Sequence, residues 1–396
     1  MKFAIISDPH IGDYSYGSIN KETGLNTRLL DVLRNLDFSI EYSIQHEVNV
    51  FIIVGDIYRI KHPNSKIRQQ FARRIRKLVN NGIRVILLTG NHDMTTTSDG
   101  AHALSETQEL CDLIEDLEVY SWPKVERIGD IELYMLPFVN RGRENLLTAE
   151  DFLNYQKTKI KEFNEQTKKS KAKYKLFFGH FGTDKSVLGN SFDLDMSSNE
   201  YENKINVSDF DDGDWTAIYL GHIHKQQNLS DIAKHVGSLS RIDFTEENEE
   251  KGFYVFEDGK DEFIKVNDTI FKTFSLRITK DDDSRECITS LINKVQSVDV
   301  SRMIVRVKSD ISSTKLSSIK FDEIESYLRK NALYFSGTDI NILNDEVVEE
   351  GEKITSVDLP NDALKKYVEK HVDKFKDISD KVIEYGTDIL KQIKSI

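Results

Sequence analysis

Five short apolar runs in this 396-residue chain end in a small residue followed by side chains with lone pairs to offer. Residues 3–6 lead to Ser7, Asp8, Pro9 and His10, and residues 51–54 lead to Gly55 and Asp56. Residues 85–88 lead to Thr89, Gly90, Asn91, His92 and Asp93, residues 176–178 to Gly179 and His180, and residues 218–220 to Gly221, His222, Ile223 and His224. Singly these signals are weak, since an Asp-x-His triplet or a Gly-Asp pair recurs by chance and an isolated histidine is more often structural than a ligand. Jointly, in order and each at the end of an apolar run, they bring together, Asp93 aside, two carboxylates, a carboxamide and five of the ten histidines.

Without His92 the set holds seven donors: Asp8, His10, Asp56, Asn91, His180, His222 and His224. That is too many for one four-coordinate zinc ion. It suits two divalent ions sharing a bridge, with Asp56 as the natural bridging carboxylate. Paired ions about 3.5–4 Å apart activate water and hold a phosphoryl group for in-line displacement. Imidazole-rich shells suit Mn, Fe or Zn better than Mg or Ca; Mn2+ is the expected ion, with iron and zinc left open. The leaving oxygen needs a proton, and His92 beside Asn91 is placed to give it as a general acid. The alternative roles for His92 are an eighth ligand or a residue that supports one.

Such donors need strands to carry them. In α/β sheets ligands bind beyond the carboxyl ends of the strands, and a glycine before the donor lets the backbone turn sharply as it leaves. To about residue 260, apolar runs at 3–6, 50–54, 84–88, 131–136, 174–178, 217–220 and 253–256 alternate with helical stretches, the pattern of an α/β domain with buried strands. Apolar residues at helical spacing predict helices over 27–46 and 65–80, the second closed by Asn81-Gly82. A smaller α/β unit follows, with strands expected at 273–278 and 303–307 and helices at 285–295 and 320–331. The acidic stretch 345–352 reads as solvated linker. After Pro360, Leu364, Tyr367, Val368, His371, Val372, Phe375 and Ile378 recur at helical intervals, predicting amphipathic helices that dock either on their own protein or in a partner's groove.

Composition narrows the class. With 54 Lys and Arg against 67 Asp and Glu the formal charge is −13, which excludes a generic DNA-coating protein while leaving room for a DNA enzyme with a local basic patch. Two cysteines exclude a disulfide framework or a Cys-rich zinc site. Neither a signal-peptide core nor an apolar run of the roughly 20 residues that cross a bilayer is present, so the expectation is a soluble cytoplasmic protein with no membrane contact.

Asp8-x-His10, Gly55-Asp56, Gly90-Asn91-His92-Asp93, Gly179-His180 and Gly221-His222-Ile223-His224 resemble the five motifs of the calcineurin-like metallophosphoesterase superfamily. The resemblance implies a four-layer α/β/β/α sandwich. It implies one ion on Asp8, His10, Asp56 and His224, a second on Asp56, Asn91, His180 and His222, and assistance to the leaving group from His92. Protein Ser/Thr phosphatases of that superfamily carry Asp-Arg-Gly after Gly-Asp; here Ile57, Tyr58 and Arg59 follow Asp56. The chain is more similar to SbcD-type nucleases of DNA double-strand-break repair. It shares with them Pro63 and Ser65 opening a helix, and His235-Val236-Gly237-Ser238-Leu239-Ser240 followed by Glu250-Lys251-Gly252-Phe253. The short cap and acidic balance resemble versions encoded by large tailed phages, which places the protein in the cytoplasm of a bacterial or phage-infected cell.

The layout implied is a nuclease domain over 1–265, a capping and DNA-binding domain over 266–344, an acidic linker over 345–359, and helices over 360–396 that dock on an SMC-like ATPase of the SbcC type. The activity implied is Mn2+-dependent exonuclease and structure-specific endonuclease action on DNA ends, duplexes and branches by a homodimer. The rival functions are a metal-dependent phosphatase of another substrate class and a DNA-end scaffold for the ATPase. Two departures stand out. Some members place a histidine three residues after the Gly-Asp aspartate, where this chain has Arg59, with His62 three further on; and the acidic stretch 187–214 has no counterpart role. Lys66, Arg68, Arg73, Arg74, Arg76 and Lys77 form a basic helix face that is either solvated or a phosphate contact.

Overall fold

The computed structural model describes residues 1–95, 101–139, 142, 146, 148–187, 204–343, 368 and 381–383. The linker expected at 345–359, the helices expected at 360–396 apart from residues 368 and 381–383, and residues 188–203 of the acidic stretch lie outside them. In chain order the first half contains β1 (Lys2–Ile6), α1 (Thr27–Gln45), β2 (Val50–Val54), α2 (Ser65–Asn80), β3 (Arg84–Leu88), α3 (Ser105–Glu109), β4 (Leu117–Tyr120), β5 (Lys124–Ile128), β6 (Ile131–Leu136) and α4 (Ala149–Lys169). There follow β7 (Tyr174–His180), β8 (Ala217–Gly221), β9 (Gln227–Asn228), β10 (Ala233–His235), β11 (Gly252–Glu257) and β12 (Lys260–Lys265). The last elements are β13 (Ile270–Ile278), α5 (Ser284–Gln296), β14 (Met303–Ser312), α6 (Asp322–Asn331) and β15 (Tyr334–Leu343).

Two six-stranded sheets, β12-β11-β1-β2-β3-β4 and β5-β6-β7-β8-β10-β9, and a three-stranded sheet, β13-β14-β15, result. In the first, β1 to β4 are parallel and β11 joins β1 antiparallel; in the second, β6, β7, β8 and β10 are parallel. Strand side chains alternate between faces. Phe3, Ile5, Ile52, Val54, Ile86 and Leu88 therefore meet Leu133, Met135, Leu176, Phe178 and Tyr219 of the other sheet. Ala4, Ile6, Phe51, Ile53, Val85 and Leu87 face outward onto Leu29, Leu33 and Leu36 of α1 and Phe71, Ile75 and Leu78 of α2. On the far side Tyr134, Leu136, Phe177, Ile218 and Leu220 meet Ile160 and Phe163 of α4. The expected four layers, helix, sheet, sheet and helix, are thus present. Each fully buried Phe, Leu or Ile contributes about 1.5–3 kcal/mol to them.

Local signals set the helix ends. Asn26 and Asn64 side chains accept from Arg28 N–H and Ile67 N–H and open α1 and α2. Thr148 and Asp151 form a reciprocal capping box at α4. Gly82 at φ +69° follows the end of α2, as Asn81-Gly82 predicts.

By contacts the described chain divides into two compact units. The first contains Met1–Leu276, Arg285–Ser309 and Lys320–Ile340; within it, Phe271 and Ile304 pack on Phe244 beside Tyr16 and Tyr334. The second contains Arg277–Ser284, Asp310–Ile319 and the described residues from Asn341 onward; there Asp282 caps Thr279, and Ser313 N–H donates to Leu343 O at 3.0 Å.

Candidate active site

All seven expected donors and His92 lie at the carboxyl ends of five strands. Asp8 and His10 follow β1, Asp56 follows β2, Asn91 and His92 follow β3, His180 ends β7, and His222 and His224 follow β8. The loops after β1 and β2 continue as a ladder: Asp8 N–H donates to Gly55 O at 3.2 Å, His10 N–H to Asp56 O at 3.1 Å and Ile11 N–H to Ile57 O at 2.8 Å. Asp8, His10, Asp56 and His222 take φ of +50°, +45°, +50° and +82°, four of the six non-glycine residues with positive φ among the described residues. Side-chain-bearing residues rarely adopt this conformation, and it persists where surrounding structure over-determines it.

Glycine is needed here for space as much as for turning. A Cβ on Gly55, at φ +84°, would lie 2.1 Å from His180 Nδ1; one on Gly90 would lie 2.1 Å from Asp56 Oδ1. Gly90 has no positive φ, so its requirement is close approach alone.

The donors converge in two groups. His10 Nε2 lies 2.9 Å from His224 Nε2, 4.0 Å from Asp8 Oδ1 and 3.7 Å from Asp56 Oδ2. On the other side, His180 Nε2 is 3.3 Å from the same Asp56 Oδ2 and 3.1 Å from Asn91 Oδ1, which is 3.0 Å from His222 Nδ1. Single donor atoms of Asp8, His10 and His224, of His10, Asp56 and His92, and of Asp56, His180 and His222 each fall within 4.8 Å of one another, so each trio could hold a cation. Asp8, His10, Asp56 and His180 are buried to within 3% exposure, whereas Asn91, His92, His222 and His224 are part-exposed and form the mouth.

Hydrogen bonds behind the donors fix which atoms face the centre. His180 Nδ1–H donates to Val54 O at 2.8 Å, which turns Nε2 toward Asp56 and Asn91. Because Asn91 Oδ1 is also an acceptor, a positive charge, proton or metal, must lie between them. Asp8 accepts from His222 N–H at 3.1 Å and from Ser7 Oγ–H. Burial raises the Asp8 carboxyl above its ordinary range, partly offset by His180 and His224. Burial also opposes ionisation of Asp56, yet His180, His92 and His10 together hold it well below that range. Burial pushes His222 down to about 3, helped by His180, so its ring is neutral with a lone pair free. Burial disfavours charge on His180 too, but Asp56 lifts it to about 9. Two carboxylates, a carboxamide and imidazoles, dry at the base, fit a pair of divalent cations.

His92 N–H donates to Asp56 Oδ1 at 2.9 Å, and its Nδ1–H to Arg59 O at 3.1 Å; its ring is 4.9 Å from that of His10. Arg59 therefore serves the site through its main chain, while its guanidinium lies over the Tyr14 ring, 4.5 Å from the centroid. His62 is exposed. Of the six cations on α2, Lys66, Arg68, Arg74 and Lys77 are taken by Gly24 O, Glu106, Asp37 and Glu41, so most of that face holds the fold together.

Three residues of the site carried no role in the sequence reading. Asp93 accepts from Gly90, Ile57 and Tyr58 N–H at 2.9, 3.2 and 3.1 Å, tying the loops after β2 and β3 together; burial and then Asp56 push it up to about 7. Glu246 accepts from His224 Nδ1–H at 2.8 Å, and Lys251 pairs with Glu246 at 2.7 Å. Asp93 lies inside a recognisable motif; the 22-residue gap from His224 to Glu246 offers no spacing signal.

The chain is similar to the DNA double-strand break repair protein Mre11 of Methanocaldococcus jannaschii, 24% identical over 302 residues, covering 71% of this chain and 73% of that protein. The protein of the same description from Sulfurisphaera tokodaii is 28% identical over 142 residues, 36% of this chain and 34% of its own length. A solved dimetal phosphatase from Danio rerio aligns at 14% identity and a TM-score of 0.39, over 64% of this chain and 91% of its own, too distant to inform the site. Residues 1–226 match the calcineurin-like phosphoesterase family across all five donor loops. The chain belongs to that family, whose members are metal-dependent phosphoester hydrolases built to bind two divalent ions.

Proposed function

We propose that the protein is an SbcD-type DNA nuclease, an exonuclease and structure-specific endonuclease that uses two Mn2+ ions and acts with an SMC-like ATPase in double-strand-break repair and recombination. The observation that carries this reading is the similarity to Mre11 over 302 residues, which runs beyond the 226 of the family match. Asp8, His10, Asp56 and His224 would hold one ion; Asp56, Asn91, His180 and His222 the other. When bound, the ions supply Lewis-acid stabilisation of the phosphoryl oxygens and lower the pKa of water. The chain's own part is orientation and proton handling. Asp56 Oδ2 faces both groups, Val54 O fixes the His180 ring, and His92, its Nδ1–H held by Arg59 O, would pass a proton to the leaving oxygen.

The remaining parts of the reading are proposals of the same kind. The region 266–344 contacts DNA, helices within 360–396 dock on the ATPase after the linker 345–359, and the protein works in the cytoplasm. Among the described residues no helix is long and apolar enough to cross a membrane. A homodimer through the region of α2 is supported by an apolar cleft lined by Phe71, Ile75, Val79, Leu110 and Ile114, of which Leu110 is 47% exposed.

The test compares end-labelled duplex DNA with p-nitrophenyl phosphate, both with Mn2+. Preference for DNA supports the proposal. Rapid hydrolysis of the monoester with intact DNA, the ATPase and ATP being present, would replace it with a phosphatase.

A further inference from the structure

His180 and His224 are oriented by different means. A main-chain carbonyl holds His180, whereas a carboxylate holds His224, so the latter's orientation depends on a replaceable side chain. That carboxylate, Glu246, has both oxygens assigned. Oε1 accepts from His224 Nδ1–H at 2.8 Å, and Oε2 accepts from Ile242 N–H at 3.0 Å and is ion-paired with Lys251 Nζ at 2.7 Å. The Glu246 and Lys251 side chains are 0% exposed. A buried charge pair is costly unless its geometry is good and its other hydrogen bonds are met. Here they are met: the three N–H groups of Lys251 Nζ donate to Glu249 at 2.9 Å, Ser238 Oγ at 2.9 Å and His224 O at 3.1 Å. The ammonium thus grips His224 twice, directly at its main chain and through Glu246 at its ring.

We infer that Glu246 is the positioning residue for one of the two metal sites. It fixes the His224 tautomer with Nδ1 protonated and aims a bare Nε2 at the point shared with His10, Asp8 and Asp56. Lys251 holds the Glu246 carboxylate in register. Carboxylates behind a metal-bound imidazole set ring orientation and basicity, and their loss typically weakens metal affinity about 10–100-fold. The inference rests on the two-ion reading of the site and goes beyond its ligand list, since Glu246 is in none of the donor groups that could hold a cation. The helical turn Phe244–Glu246 and Lys251, just before β11, thereby become part of the metal centre.

The experiment is Mn2+ titration of the full chain by calorimetry, with electron paramagnetic resonance reporting whether two bound Mn2+ ions are spin-coupled. Glu246→Ala is expected to bind one ion normally and the other about 10–100-fold more weakly, with loss of the coupled signal at sub-saturating metal. Glu246→Gln, which keeps an oxygen for Nδ1–H but sets its NH2 against Ile242 N–H and Lys251, is expected to bind the second ion more tightly than Glu246→Ala and less tightly than the native chain. A folded Glu246→Ala protein that binds both ions with native affinity would overturn the inference. To separate metal effects from folding, two double variants remove the Glu246–Lys251 charge pair and leave Glu249 without Lys251 equally in both. Glu246→Leu with Lys251→Met also removes the acceptor, while Glu246→Gln with Lys251→Met retains it. Only the Leu pair is expected to lose affinity, and equal affinities would overturn the inference. A native chain that bound a single ion would instead overturn the two-ion reading beneath it, and neither result depends on DNA being the substrate.

Discussion

At the residue scale the account turns on a few atoms whose replacement has different consequences. His222 offers Nδ1 beside Asn91 Oδ1, and His222→Ala is expected to remove one ion and abolish cleavage; calorimetry and a gel assay check the two halves separately. His92 has its Nδ1–H committed to Arg59 O, and His92→Ser is expected to leave metal and DNA binding largely intact while lowering turnover by about 10²–10⁴-fold. Full rate in that variant would contradict its role as general acid. Gly55→Ala places a Cβ 2.1 Å from His180 Nδ1 at a φ of +84°. It is expected to cost about 1–3 kcal/mol in a urea melt and to weaken Mn2+ binding.

At the scale of elements, sequence and structure agree where burial is two-sided. Strands at 50–54, 84–88 and 131–136 match β2, β3 and β6 to the residue, because parallel strands covered on both faces read as unbroken apolar runs. The strands absent from that reading are short or lie at sheet edges. β5, Lys124–Ile128, is KVERI; β12, Lys260–Lys265, is KDEFIK; β15, Tyr334–Leu343, is mostly exposed. β5 and β12 are the hairpin partners of β6 and β11 at the sheet edges, and an exposed face leaves no apolar pattern to read. The donor loops were legible for the opposite reason, since each concentrates ligand types at the end of a buried strand. Glu246 was not, because only the tertiary path brings it under His224, and Lys251, though it stands in the shared Glu250-Lys251-Gly252-Phe253 stretch, shows its role only through that path. A local element also makes a separable prediction: Asn64→Ala removes the α2 cap from Ile67 N–H and is expected to lower stability by ~1 kcal/mol with metal binding unchanged.

For the whole molecule, the site joins loops from both large sheets, so metal binding and global stability are linked. Each ion at 100 times its dissociation constant adds about 2.7 kcal/mol to the folded state. Added Mn2+ is therefore expected to raise the melting temperature and a chelator to lower it, with a smaller rise in His222→Ala. Deleting residues 360–396 is expected to spare intrinsic nuclease activity and to remove binding to the ATPase, read by pull-down alongside a DNA assay. Normal ATPase binding by the truncated chain would move the docking surface elsewhere.

The central claim is that the two-ion site hydrolyses DNA phosphodiesters, and its most direct test is digestion of end-labelled linear duplex with Mn2+, native protein beside His222→Ala. The account predicts cleavage by the native chain, loss of that cleavage with chelator, and none by the variant. Equal cleavage by both proteins, or none by the native protein even with the ATPase and ATP present, would contradict it.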